Sequence, residues 1–203
     1  MAKLTAPLFS LKASGAIAKT LVYFDWKGLE VVRQYVIPAN PKTDPQVEQR
    51  GWLTEAVDAI HAAMQHATKP LTAVDRSAYA LDASCEATPR TWFNQIACRW
   101  MIAKVRGEHA QILAQGTFTD PATGQITITL YNHQYATEPG FMYCGTSKTY
   151  MAKKVAANGV ANVHTGVFTG LAKGTKYFFQ FRPTKVASDK YVARSGIYFH
   201  TCT

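Results

Sequence analysis

Between Val47 and Val105 the apolar positions recur three or four residues apart, and after Gly116 they recur at every second residue. The change of period separates a helical middle from a β-rich C-terminal part. Ahead of both, residues 17–26 and 29–37 are extended runs joined at Lys27-Gly28, which predicts a β-hairpin with glycine as the turn residue. Pro38, Pro41 and Pro45 forbid regular pairing and make residues 38–45 an extended connector. Thr43 or Asp44 can cap the helix that follows, with Pro45 at its first position and Val47, Leu53, Val57, Ile60 and Met64 at mostly helical spacing. Thr72 caps a second helix through Val74, Ala78 and Leu81. Trp92, Phe93, Ile96, Trp100, Met101 and Val105 carry a third, and its rings, with Trp52, read as core.

From Gly116 onward, Ile126, Ile128 and Leu130 alternate with threonines after a turn at residues 120–124. Further strands are expected at 141–147, 150–156, 160–168, 175–182 and 195–202, with Asn158-Gly159 as a hairpin turn between two of them. So many short strands in one stretch predict a β-sandwich over residues 116–203, one that folds on its own.

With 203 residues, 47% apolar and 17% charged, the chain can build a sizeable core, which argues against disorder. The net charge of +9 favours an acidic partner. Residues 1–115 hold 13 basic and 10 acidic side chains, whereas residues 116–203 hold nine and three, so the excess sits on the expected sandwich. Its candidates are Lys148, Lys153, Lys154, Lys173, Lys176, Arg182, Lys185, Lys190 and Arg194, either spread as a solvated surface or gathered on one docking face. No run reaches the roughly 18 apolar residues of a membrane span, and no secretory leader is recognisable, so synthesis in a cytoplasm is expected. Cys85, Cys98, Cys144 and Cys202 form no Cys-x-x-Cys pair and read as reduced thiols, with a Cys144–Cys202 bridge as the alternative.

No catalytic, cofactor-binding or metal-binding residue is predicted. Gly15-Ala16-Ile17-Ala18-Lys19-Thr20 lacks the second glycine of a phosphate-binding loop and runs into a strand. His61 and His66 fall on different helix faces, and Glu55, Asp58, Asp75 and Asp82 are expected to be solvated. Trp26 at the hairpin tip, beside Lys27 and Gly28, is hard to bury within the hairpin and is a candidate interface residue.

Residues 168–182, reading FTGLAKGTKYFFQFR, resemble the corner of a fibronectin type III domain between its fifth and sixth strands, and residues 195–201 resemble that family's last strand. The resemblance makes Leu171 a core plug, Gly174 a tight turn and Tyr177 a corner tyrosine whose hydroxyl bonds nearby backbone. The N-terminal part is similar to small tailed-phage and prophage structural proteins. The similarity rests on Ser14-Gly15, Trp26-Lys27-Gly28, Val32-Arg33, Pro38-Ala39-Asn40-Pro41 and Gln46, then on residues 71–79 and Trp92-Phe93-Asn94, although Tyr79 stands where tryptophan is expected. That group has no catalytic residue.

These readings give an α+β fold class: a hairpin-plus-helices assembly domain over residues 1–115 and an immunoglobulin- or fibronectin type III-like sandwich over 116–203. The expected function is non-enzymatic, as a capsid-decoration, neck or tail accessory component of a virion. Such a protein would assemble with itself and other virion proteins through Trp26, Lys27, Gly28, Arg33, Pro38, Asn40 and Pro41, with an acidic capsid surface as a further partner. No cofactor and no membrane are expected. A carbohydrate-binding or host-adhesion module is the second reading, with residues 131–135 and Tyr150 stacking on sugar rings, although residues 116–203 hold no tryptophan. A basic nucleic-acid-binding protein is the third, its DNA binding expected to be weak, non-specific and lost by about 0.2 M salt.

Overall fold

The strands of the N-terminal part pair into one antiparallel sheet, in the order β1 (Lys3–Leu4), β2 (Ala13–Ile17), β3 (Leu21–Trp26), β4 (Leu29–Gln34). The expected hairpin is its β3–β4 half, with Asp25 opposite Glu30 and Trp26 opposite Leu29. The β2–β3 turn had no glycine or asparagine to announce it: Ala18 and Lys19 take left-handed φ values of 46° and 56° there. The computed structural model describes residues 3–4, 13–27, 29–37, 42–184 and 194–203, and Pro38, Asn40 and Pro41 of the connector lie outside them.

Three helices follow: α1 (Asp44–Met64), α2 (Ala73–Ala83) and α3 (Trp92–Val105). Among the described residues, none is long and apolar enough to cross a membrane. A capping box opens α2, in which the Thr72 hydroxyl accepts from the Asp75 N–H and the Asp75 carboxylate accepts from the Thr72 N–H at 2.8 Å. Ile60, Leu71, Tyr79, Ile96 and Trp100 pack between the helices and reach Ile112.

The strands beyond are β5 (Leu113–Ala122), β6 (Gln125–Asn132), β7 (Gly140–Gly145), β8 (Lys153–Ala156), β9 (Val163–Phe168), β10 (Lys176–Pro183) and β11 (Tyr198–Thr201). They form two antiparallel sheets, β5-β6-β9 and β11-β10-β7-β8. One core holds the inward residues of both, among them Ile126, Ile128, Leu130, Met142, Phe168, Phe179 and Phe181. Each such side chain contributes about 1.5–3 kcal/mol by leaving water. Asn158-Gly159 is not a hairpin turn. β8 pairs with β7 and β9 with β6, so the chain here crosses between sheets, and neither residue has a positive φ. The Gly159 N–H instead donates to the Glu138 carbonyl at 3.0 Å.

The compact units are Met1–Thr43 and Asp44–Thr203, so the boundary expected at 115/116 falls inside the second of them. The reason lies in α2, which belongs to both cores: Tyr79 packs among the helices and Ala78 against the sheets. The Tyr79 hydroxyl donates to the Leu113 carbonyl at 3.0 Å and accepts from the Leu113 N–H at 3.1 Å. The Ile197 N–H donates to the Ala78 carbonyl at 2.9 Å. Gly196 allows this approach, because a Cβ there would lie 2.6 Å from the Ala78 carbonyl carbon.

Candidate functional site

The outer face of the β11-β10-β7-β8 sheet carries three of the seven described basic candidates, Lys154, Lys176 and Arg182. Along β10 the inward Tyr177, Phe179 and Phe181 alternate with Lys176, Phe178, Gln180 and Arg182 on the opposite face, where Gln180 is itself buried by its bonds to Asp82 and the Ser195 carbonyl. Register sets Phe178 opposite Phe199 on one side and Gly145 on the other, and Arg182 opposite Phe141, while Tyr143 faces Lys154 of β8. Cations sit on these rings. Lys176 Nζ is 3.8 Å from the Phe199 centroid and 5.4 Å from that of Phe178, Arg182 Cζ is 4.4 Å from Tyr143, and Lys154 Nζ is 5.1 Å from Phe141. Phe199 is 53% exposed. None of these four strands contains Asp or Glu.

The other basic candidates are elsewhere. Lys153 turns inward in register and donates to the Thr169 and Gly170 carbonyls, Lys148 donates to the Ser84 hydroxyl, and Lys173 is exposed in the β9–β10 loop. Arg194 pairs with Glu86 at 3.0 Å, while Lys185 and Lys190 lie outside the described residues. Of the interface candidates, Trp26 is 58% exposed, Lys27 takes a φ of 53°, and Arg33 lies over the Phe24 ring at 5.3 Å. Gly28 is outside the described residues, like the connector residues. At the corner, Leu171 is buried, Gly174 has a φ of 75°, and the Ala172 N–H donates to the Tyr177 hydroxyl at 2.9 Å.

No family model and no curated protein sequence matches the chain. Among solved structures, the chain is similar to a crystal structure of a Br derivative of BhCBM56, with a TM-score of 0.32 and 8% identity over 42% of this chain and 88% of that one. A likeness that remote does not bear on what this chain binds.

Two of the carboxylates expected to be wet are the most buried acids among the described residues. Asp75 accepts from the Thr72 N–H and hydroxyl, the Gly116 N–H and, at 2.8 Å, the Tyr198 hydroxyl. Burial and the neighbouring Asp75 charge push the Tyr198 phenol well above its ordinary range, so it stays a donor. Asp82 accepts from Gln95 at 2.6 Å and Gln180 at 3.0 Å, with Arg99 and Arg194 beside it. Every acceptor here is turned on the protein's own donors, which makes these clusters docks between α2, α3 and the sheets. Glu55 and Asp58 are exposed as expected, Glu55 pairing with Lys104.

The rings nominated for sugar stacking are engaged internally. Tyr131 meets His66 and His133 edge-on at 5.7 and 5.2 Å, and Tyr135 stacks on His109 at 4.4 Å, whereas Tyr150 is 73% exposed. All four cysteines are free thiols, and burial pushes Cys144 up to about 12. Among the described residues, no three His, Cys, Asp or Glu side chains converge as metal ligands. The basic–aromatic face is written in the sequence as alternation of Lys, Phe and Arg through residues 176–182, but joining it to Lys154 and Phe199 needed the register.

Proposed function

We propose that this chain is a non-enzymatic structural component of a phage particle, assembling through its N-terminal unit and displaying a fibronectin type III-like β-sandwich. The sequence resemblance suggests the particle. A three-stranded and a four-stranded antiparallel sheet around one core, with a corner tyrosine, support the sandwich. Tyr177→Phe removes the acceptor of the Ala172 N–H and is expected to cost about 1 kcal/mol in urea unfolding.

One observation carries assembly: the N-terminal sheet and the residues after it expose Leu21, Trp26, Val32, Val36 and Ile37, the last two at 68% and 77%. Leu21 and Val32 share one face of this sheet and Trp26 lies on the other; so many exposed apolar side chains favour cover by a partner, and strand edges favour pairing between subunits. Light scattering at rising concentration is expected to show oligomers of the full chain. Removal of residues 1–43 is expected to leave a monomer with an unchanged melt. A full chain that stays monomeric at high concentration and fails to join particles would remove this reading.

A further inference from the structure

We propose that the outer face of the β11-β10-β7-β8 sheet binds single-stranded nucleic acid, a ligand that the assembly reading does not require. Lys154 and Lys176 supply the charge, and Phe141, Tyr143, Phe178 and Phe199 lie beside them on adjacent strands. Among the described residues, the carboxylates near Lys154 and Lys176 are taken by other partners. Asp82 and Glu86 are matched by Arg99 and Arg194, Asp120 is held by His200 and Thr203, and Glu138 by His109.

The rings decide between acidic partners. An acidic protein surface needs only cations, and lysines scattered over the sandwich would serve it as well. Rings interleaved with cations across four strands, spaced about 4.8 Å apart, match a ligand that alternates flat faces with negative charge. Phosphates would draw Lys176 and Lys154 off their rings, leaving Phe199 and Phe178 for bases. In a duplex the base faces are occupied by their neighbours, so rings at the surface favour unpaired strands. Sequence preference is not expected, because every base has a face to stack and the ring–cation pairs read no edges.

The test is fluorescence anisotropy of a labelled oligodeoxythymidine titrated with the full chain across a range of salt. Two lysines predict a slope of log affinity against log salt of about −1.4, at about −0.7 per single-strand phosphate contact. Lys154→Gln and Lys176→Gln, both at exposed positions, should each reduce that slope by about 0.7. Phe199→Ala should leave the slope unchanged and weaken binding by about fivefold or more through lost stacking. A thermal melt verifies that each variant is folded, and Phe199, being 53% exposed, can be removed without opening the core. Three outcomes would overturn the proposal: no binding at about 0.05 M salt, a duplex of the same length bound as tightly, or polyglutamate competing as well as the oligonucleotide with Phe199→Ala indifferent. The last would assign the face to an acidic protein surface.

Discussion

A fragment of residues 116–203 alone is expected to show no cooperative unfolding transition, whereas residues 44–203 should melt like the full chain. The sheets carry their own core, but their β5 and β11 margins are completed by α2. Cutting at residue 116 removes the Asp75 carboxylate from the Tyr198 hydroxyl and the Gly116 N–H, the Ala78 carbonyl from the Ile197 N–H, and Asp82 from Gln180 and Arg194. Neutral hydrogen bonds contribute about 1 kcal/mol each and those to a charged group about 1.5–3 kcal/mol, so the loss is about 5 kcal/mol or more. That is comparable to the whole stability of an ordinary domain. Tyr198 and Ile197, both 2% exposed, would also lose their cover, since an apolar cavity of about 430 Å³ already opens between α2, Phe118 and these residues. Circular dichroism melts and amide chemical shifts of the two fragments test this. A sigmoidal melt of residues 116–203 with native-like shifts would make the α2 contacts dispensable.

Acidification between about pH 6.5 and 4 is expected to remove about 2 kcal/mol of stability, most of it through His133. Burial, and next the charge of His66 with its ring 5.3 Å away, lower the His133 imidazole from 6.5 to about 4. Its Nε2 is buried without a hydrogen-bond partner among the described residues, so a proton there would be unsolvated. The folded-state value lies below the unfolded one. The stabilisation is therefore complete above about pH 6.5 and is lost as pH falls toward 4, because the unfolded chain takes up the proton first. The full difference corresponds to about 3 kcal/mol, reduced here because the ring keeps some contact with water. His164, buried on β9 with its Nδ1 on the Ala157 carbonyl at 2.9 Å, is lowered by burial as well and acts in the same direction. His133→Phe keeps a ring against Tyr131 and His66 without a titrating group. Urea unfolding at pH 7 and pH 5 should show a clearly smaller acid loss for this variant, and equal losses would clear His133 of the role.

The helices and most strands were legible because their signals are local. Apolar spacing of three or four marks α1 to α3, Thr72 and Asp75 announce a capping box, and alternation marks β6 and β10. The corner around Tyr177 was legible for the same reason, since the Ala172 N–H and the Tyr177 hydroxyl that meet there are five residues apart. Local signals failed where one residue had a second, distant partner. Asp75 reads as a cap and is also the acceptor for Tyr198, which lies 123 residues away in sequence. Asp82 reads as a wet helical carboxylate and is buried because Gln180, 98 residues away, donates to it. Asn158-Gly159 carries the composition of a hairpin turn, yet the strands it joins pair with different partners. Sequence by itself determined the elements, the corner and the excess of positive charge in the C-terminal part. Only the tertiary structure decided that α2 belongs with the sheets and that Lys154, Arg182 and Lys176 share a face with four rings, because strand register and long-range hydrogen bonds, which no window of neighbouring residues contains, set both.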